Sequence, residues 1–143
     1  MSTSPSTSTS MPGPRELFER FQRNALEGRA GLDEGMLAED VVVEMPFAPG
    51  GEGRRAEGRA AIAARLREGR AALPVVFEEF RDVVIHETAD PEVIVAEYEI
   101  VASVPATGRR ASANFVAVVR ARGGRVVHWR EYQDHAAIAA AVA

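Results

Sequence analysis

Helical spacing of apolar residues marks the first part of the chain. From Pro14 onward, apolar side chains recur on one helical face and charged ones on the opposite face. Proline is tolerated in the first turn of a helix, so Pro14 suits its start. The pattern predicts a first helix from Pro14, a short second helix over residues 32–37 and an alanine-rich third helix over residues 58–72, which Pro74 ends.

Strand-like runs dominate after Pro74. One earlier strand is predicted at Val41–Met45, before Pro46 and a loop. The later predicted strands cover residues 75–86 (kinked near Arg81–Asp82), 93–104, 113–120 and 125–133, before a short terminal helix or tail at 136–143. Glycine-containing turns, among them Gly123–Gly124, join the late strands as hairpins. Strands joined by hairpins after helices predict an antiparallel α+β domain.

Residues 1–14, MSTSPSTSTSMPGP, have a different composition. Serine, threonine and proline dominate, and such a segment buries too little apolar surface to offset its ordering entropy. We predict a disordered tail over residues 1–14 and a single domain over residues 15–143. The tail lacks the basic start and apolar stretch of a secretory signal. No apolar run approaches the ~20 residues of a membrane span. We therefore expect a cytoplasmic protein with no membrane partner.

Composition removes several kinds of chemistry. The 143 residues include no cysteine, which excludes disulfides, thiolate metal sites and a cysteine nucleophile. All 17 basic residues are arginine, so no lysine is present to form a Schiff base. The net charge of −4 argues against nucleic acid as a partner. His86, His128 and His135 share no ligand spacing, so we expect no metal site.

Three segments follow one another in a familiar order: residues 38–46 (AEDVVVEMP), 57–62 (EGRAAI) and 124–132 (GRVVHWREY). They resemble the NTF2-like superfamily, specifically its SnoaL-like branch of polyketide cyclases and ketosteroid-isomerase relatives. The resemblance covers residues 15–140. It implies a curved, mostly antiparallel sheet wrapped by about three helices into a cone around an apolar cavity. This fold hosts isomerases, cyclases, epoxide hydrolases, dehydratases and binding modules, so it does not specify a reaction.

Strand parity, together with this family pattern, predicts the cavity wall. In the strand over residues 93–104 the even-numbered side chains, including Tyr98, are the more apolar set and are placed inside. The family pattern turns Asn114, Val116 and Val118 inward, and likewise Trp129, Glu131 and Gln133. The predicted substrate-binding residues are Phe21, Met45, Phe47, Tyr98, Val116 and Trp129.

The groups used by two known activities of the fold are missing. Steroid isomerisation needs a carboxylate base just before the proline that ends the first strand, where this chain has Met45. Its oxyanion hole would occupy positions that hold Phe21 and Val116. The epoxide-hydrolase variant needs an arginine and two aspartates in the cavity, whereas residues 113–119 carry no charge. Neither activity is expected.

Glu131 is the main candidate acid/base. Between Trp129 and Gln133 inside an apolar cone, a carboxyl group is costly to ionise and can exchange a proton with a substrate. If the register is off by one residue, Glu131 is instead a solvated surface group.

Other polar residues are secondary candidates. Asn114 and Gln133 are candidates to hydrogen-bond a substrate, although Asn114 also suits a structural bond to the backbone. SnoaL-like cyclases place an aspartate acid/base on the last strand, where Gln133 stands. A one-residue bulge would turn Asp134 inward instead. Glu44, His86 and His135 are weaker alternatives.

Two functions stay open. One is a cofactor-independent cyclase or isomerase acting on a hydrophobic, polyketide-like or terpenoid-like molecule in bacterial secondary metabolism, including antibiotic biosynthesis. The other is a non-catalytic small-molecule-binding or scaffolding module. In this family the sheet commonly pairs with a second copy. The outer-face residues Glu97, Glu99, Arg130 and Tyr132 therefore predict a homodimer.

Overall fold

The computed structural model describes residues 10–51 and 54–143. In chain order the elements are α1 (Pro14–Leu26), a 3-10 turn (Glu34–Met36), β1 (Leu37–Glu44), β2 (Arg55–Glu57), α2 (Arg59–Ala72), β3 (Val76–Glu87), β4 (Val93–Val104), β5 (Arg109–Arg122), β6 (Arg125–Gln133) and α3 (His135–Ala141). Within these residues, six strands form one sheet in the order β2-β1-β6-β5-β4-β3. The predicted α+β class, with three helices on a curved and mostly antiparallel sheet, is confirmed.

One strand pair breaks the antiparallel rule. β1 and β6 run parallel, with Val43 opposite Trp129, so the first and last strands meet in the centre of the sheet. β1 begins at Leu37, four residues before its predicted start, because the predicted second helix is only a 3-10 turn. The short strand β2, expected to be loop, pairs with the outer side of β1.

The long hairpins follow the sequence pattern closely. β4 and β6 have their predicted bounds. β3 has the predicted kink: its pairing with β4 shifts between Arg81 and Val84, and Asp82 has a φ of 53°. The turn between β5 and β6 requires positive φ at both Gly123 and Gly124, a conformation that suits a two-residue hairpin.

The core lies between the concave face of the sheet and the helices. α1 buries Leu17 and Phe18 against the strands, and α2 buries Ile62 and Ala63. Full burial of each large apolar side chain contributes about 1.5–3 kcal/mol. Trp129 on β6 belongs to the same cluster. The helices therefore cover one face of the sheet.

The N-terminal boundary differs slightly from the composition-based prediction. α1 includes Pro14, and the Glu16 side chain accepts a hydrogen bond from the Gly13 backbone N–H at 2.8 Å. Met11 lies beside Gly124, where an added Cβ would approach it at 3.2 Å. Residues 1–9, most of the predicted tail, lie outside the described residues. None of the helices in the described ranges is long and apolar enough to cross a bilayer.

Candidate functional site

A cavity of about 500 Å³ opens between the concave face of the sheet and the three helices. This volume falls within the ~300–1,000 Å³ typical of small-molecule sites. Aromatic and aliphatic side chains form most of the wall, among them Phe21, Val43, Met45, Leu66, Phe77, Ile100, Phe115, Trp129 and Ile138. The polar side chains on the wall include Arg65, Arg70, Glu131 and Gln133; Ser112 also borders the cavity, but its hydroxyl donates to Glu99 on the other face of the sheet. The site therefore combines an apolar surface with a few groups capable of chemistry.

Glu131 is a buried carboxyl group on this wall, with 8% of its surface exposed. Its Oε1 accepts hydrogen bonds from the Tyr98 hydroxyl at 3.2 Å and from Trp129 Nε1 at 3.1 Å. Its Oε2 accepts a short hydrogen bond from Gln133 Nε2. The predicted inward orientation of Trp129, Glu131 and Gln133 is therefore what the structure shows. Their catalytic roles stay predictions.

Glu131 is well supplied with donors. Both of its oxygens accept hydrogen bonds, so this buried polar side chain is satisfied. Burial raises the pKa of Tyr98 well above its ordinary value of 10.0, and the charge and hydrogen bond of Glu131 raise it further. Tyr98 thus stays protonated and acts as a donor. It is 3% exposed and does not itself border the cavity, so it is a core tyrosine that serves Glu131.

The register of the strands places Glu131 and its hydrogen-bond donors on the same face of the sheet. Directly opposite residues of antiparallel strands project on the same face. Glu131 is opposite Ala117 of β5, and Ala117 is opposite Ala96 of β4. Phe115, the neighbouring inward residue of β5, is opposite both Tyr98 and Gln133. β5 thereby sets the faces on which the residues of β4 and β6 lie.

The inward placement of Asn114 and Val116 is wrong. Asn114 is exposed and opposite Glu99 of β4, while Val116 is opposite Glu97 on the same outer face. The uninterrupted register between β4 and β5 places the neighbouring odd-numbered residues inside, because Phe115 must share the face of Tyr98. Alanines fill most inward positions of β5 and valines fill two outward ones, so the alternation of apolar and polar residues along this strand is weak.

Phe47 lies outside the cavity, contrary to prediction, and Asp134 lies outside it too, so the bulged alternative for Asp134 is wrong. Phe47 is 65% exposed, and its ring packs against Tyr132 on the outer face at a centroid distance of 5.1 Å. Asp134 is an N-cap: its side chain accepts a hydrogen bond from the Ala137 backbone N–H at 3.1 Å. The pairing of β5 with β6 continues to Gln133 without a bulge there, so Asp134 does not turn inward.

The remaining predicted wall residues do border the cavity. Phe21, Met45 and Trp129 all line it, and the Phe21 and Trp129 rings pack with centroids 4.7 Å apart. Sequence reasoning missed Phe115 and Arg70. Phe115 follows from the hairpin register once Tyr98 is placed inside. Arg70 lies on α2 near Leu66, Gly69 and Leu73, which also line the cavity. Arg70 is three or four residues from Leu66 and Leu73, and this helical spacing is the sequence signal that could have placed it on the same face.

A polar pair lies on the opposite face of the sheet. His128 Nε2 and Glu44 Oε1 are 2.5 Å apart, and Arg55 approaches the Glu44 carboxyl at 3.4 Å. The hydrogen bond with His128, helped by nearby positive charge, lowers the pKa of Glu44 below its ordinary value of 4.5. Both residues face outward as expected, so neither belongs to the cavity. No group of three histidine or acidic side chains placed to hold a metal ion occurs in residues 10–51 and 54–143.

Comparisons with known proteins agree with this geometry. Residues 15–129 match the family of SnoaL-like domains. The uncharacterized protein YesE of Bacillus subtilis is 28% identical over 117 residues, or 82% of this chain and 78% of the relative. A crystal structure of a proposed isomerase from Bacillus subtilis superposes with a TM-score of 0.79 at 26% identity, covering 90% of this chain and 91% of the other.

A second solved structure, a proposed polyketide cyclase from Xanthomonas campestris, shares the fold. It has a TM-score of 0.70 at 21% identity and covers 91% of this chain and 96% of its own. The family match spans most of the chain, from α1 into β6. The chain therefore belongs to the SnoaL-like domain family, within the NTF2-like superfamily.

Proposed function

We propose that this protein is a cofactor-independent cyclase or isomerase. Its substrate would be a hydrophobic, polyketide-like or terpenoid-like molecule of bacterial secondary metabolism. The observation that carries the proposal is Glu131, a buried carboxylate on the wall of a largely apolar cavity, held by three hydrogen-bond donors. The wall matches the surface of a carbon skeleton with few heteroatoms. The isomerase and cyclase names of the similar structures support the reaction class.

Glu131 serves as the general base. A carboxylate offers about four acceptor sites. Oε1 uses two of them, for Tyr98 and Trp129, and Oε2 uses one for Gln133. One site on Oε2 is left for a substrate proton. The carboxylate removes a proton from a carbon next to a carbonyl group, which gives an enolate and a neutral carboxyl group.

Gln133 assists the same step in this proposal. A side-chain amide nitrogen has two N–H donors, and Gln133 uses one for Glu131. The other is available to the carbonyl oxygen of the substrate, on which negative charge develops. In an isomerase, Glu131 returns the proton to a different carbon. In a cyclase, the enolate carbon attacks an internal carbonyl carbon, and Glu131 protonates the resulting alkoxide. The apolar wall holds the substrate in the folded shape that closure needs.

The second candidate is a non-catalytic binding module. Met45 and Phe21, at positions where the steroid isomerases carry a base and an oxyanion donor, have no acid/base group. The bonds around Glu131 would then serve only to satisfy a buried polar group. The two candidates differ in a measurable property, proton transfer to carbon.

The test is deuterium incorporation from D2O into a panel of apolar cyclic ketones and β-diketones, followed by NMR. Wild-type protein should accelerate exchange, and Glu131→Gln should reduce the rate by about 100-fold or more. Glu19→Gln, an exposed carboxyl on α1, is the matched control and should change nothing. Trp129 is the only tryptophan, so its emission reports binding at the cavity wall. Binding without exchange in wild-type protein would favour the binding module, and unchanged exchange in Glu131→Gln would overturn the role of Glu131.

A further inference from the structure

Arg70 is a second charged group on the cavity wall, and nothing in the proposed chemistry uses it. It borders the cavity from α2, whereas Glu131 borders it from β6. The Arg70 guanidinium carbon lies 4.7 Å from the centroid of the Phe77 ring. Its Nη2 donates to the Val75 backbone carbonyl at 3.2 Å. These two contacts hold the guanidinium in place at the start of β3.

No acidic side chain in the described ranges balances the charge of Arg70. None of the ion pairs among residues 10–51 and 54–143 involves Arg70. Its Nε is buried and has no hydrogen-bond acceptor within that same part of the chain. A partly buried cation without a counterion is costly, and an anion that binds beside it removes part of this cost. Arg65 also borders the cavity and adds positive charge to the same wall.

Space for a ligand exists beside this cation. Gly69 precedes Arg70 and borders the cavity, and a Cβ added there would meet nothing within 4 Å. The guanidinium lies over the face of the Phe77 ring, which supports it from one side. Arginine suits planar oxygen anions because its donors form a rigid fork that matches a carboxylate.

We propose that the cavity binds an amphipathic acid, with its hydrocarbon body against the apolar wall and its carboxylate held by Arg70. The proposal deepens the proposed function, because it assigns a substrate class to the same cavity. The negative charge of Glu131 repels a carboxylate from β6, whereas Arg70 attracts it toward α2. The two side chains thus orient the ligand and leave its uncharged part to Glu131.

The test compares cyclohexylbutanoate with its uncharged amide, which has nearly the same shape. Calorimetry gives the affinities, and Trp129 emission shows that both ligands occupy the cavity. Wild-type protein should bind the acid at least about tenfold more tightly, as expected for hydrogen bonds to a charged partner. Arg70→Gln should reduce this preference to less than about twofold while amide affinity stays the same. Arg67→Gln, an exposed arginine of the same helix that does not border the cavity, is the matched control and should keep the preference.

Equal affinity of wild-type protein for acid and amide would overturn the proposal, and this comparison requires no variant. A preference that survives Arg70→Gln would overturn the role of Arg70. Glu131→Gln separates the two proposals. If it leaves ketone exchange unchanged while the acid preference stands, only the catalytic proposal fails. If exchange falls but acid and amide bind equally, only the acid site fails.

Discussion

The Tyr98 hydroxyl donates to Glu131 Oε1 at 3.2 Å, although strand β5 separates their two strands. The bond crosses β5 diagonally, because Tyr98 is in register with Phe115 and Glu131 with Ala117. Ala117 projects only a methyl group, so the tyrosine can reach across the strand. The Phe115 ring stacks on the Tyr98 ring at a centroid distance of 5.4 Å, which helps to hold the tyrosine in place. Ala117 thus leaves room for the Tyr98–Glu131 hydrogen bond, and Phe115 packs against the tyrosine that donates it.

Tyr98→Phe should lower the free energy of unfolding by about 1–3 kcal/mol, because it removes a hydrogen bond to a buried charged group. Tyr132→Phe is the matched control. Tyr132 is the only other tyrosine, lies on the outer face and should change stability by less than about 0.5 kcal/mol. Urea denaturation measures both. Equal effects of the two substitutions would show that the Tyr98–Glu131 bond contributes nothing.

The local pattern of apolar and polar residues predicts most helices and strands. It fails where the pairing of distant strands determines which way a side chain faces. β4 and β6 were predicted residue by residue, because turn residues bound them and their faces alternate. The inward direction predicted for Asn114 is wrong. β5 has apolar residues on both faces, so only its pairing with β4, where Phe115 lies opposite Tyr98, determines which residues face the cavity. Phe47 packs against Tyr132 on the outer face, a contact between distant parts of the chain that no local pattern reports. Arg70 reaches the cavity through the packing of α2, which no local pattern reports.

Gly31→Ala should destabilise the protein by about 1–3 kcal/mol through overpacking. Gly31 borders the cavity, and a Cβ added there would overlap the Phe21 ring. That ring cannot yield easily because it packs against Trp129 at 4.7 Å and against Phe80 at 6.0 Å. Urea denaturation followed by Trp129 emission measures the loss and reports any shift of Phe21 in the folded state. Unchanged stability and emission would mean that the Phe21 ring has room to move.

Glu44→Gln should destabilise the protein at neutral pH, and the difference from wild type should shrink in acid. The lowered pKa means that folding favours the ionised carboxyl. This contribution is fully present above the ordinary value of 4.5 and is lost as the pH falls below it, through the lower pKa of the folded state. Denaturation of both proteins across this pH range measures the difference. Glu19→Gln, an exposed residue of α1, should show no such trend. A constant difference between Glu44→Gln and wild type would contradict the linkage.

Gly69→Ala should raise the free energy of unfolding by about 0.5–1 kcal/mol. Glycine inside a helix costs about this much relative to alanine, and Gly69 lies within α2. The added methyl group meets nothing within 4 Å, so no overlap offsets the gain. Gly69 borders the cavity and precedes Arg70 in the chain. If the carboxylate of a bound acid occupies the space beside Gly69, Gly69→Ala should weaken cyclohexylbutanoate binding while it stabilises the fold. Gly31→Ala gives the opposite sign for stability in the same denaturation experiment. A loss of stability in Gly69→Ala would contradict the open space seen beside this residue.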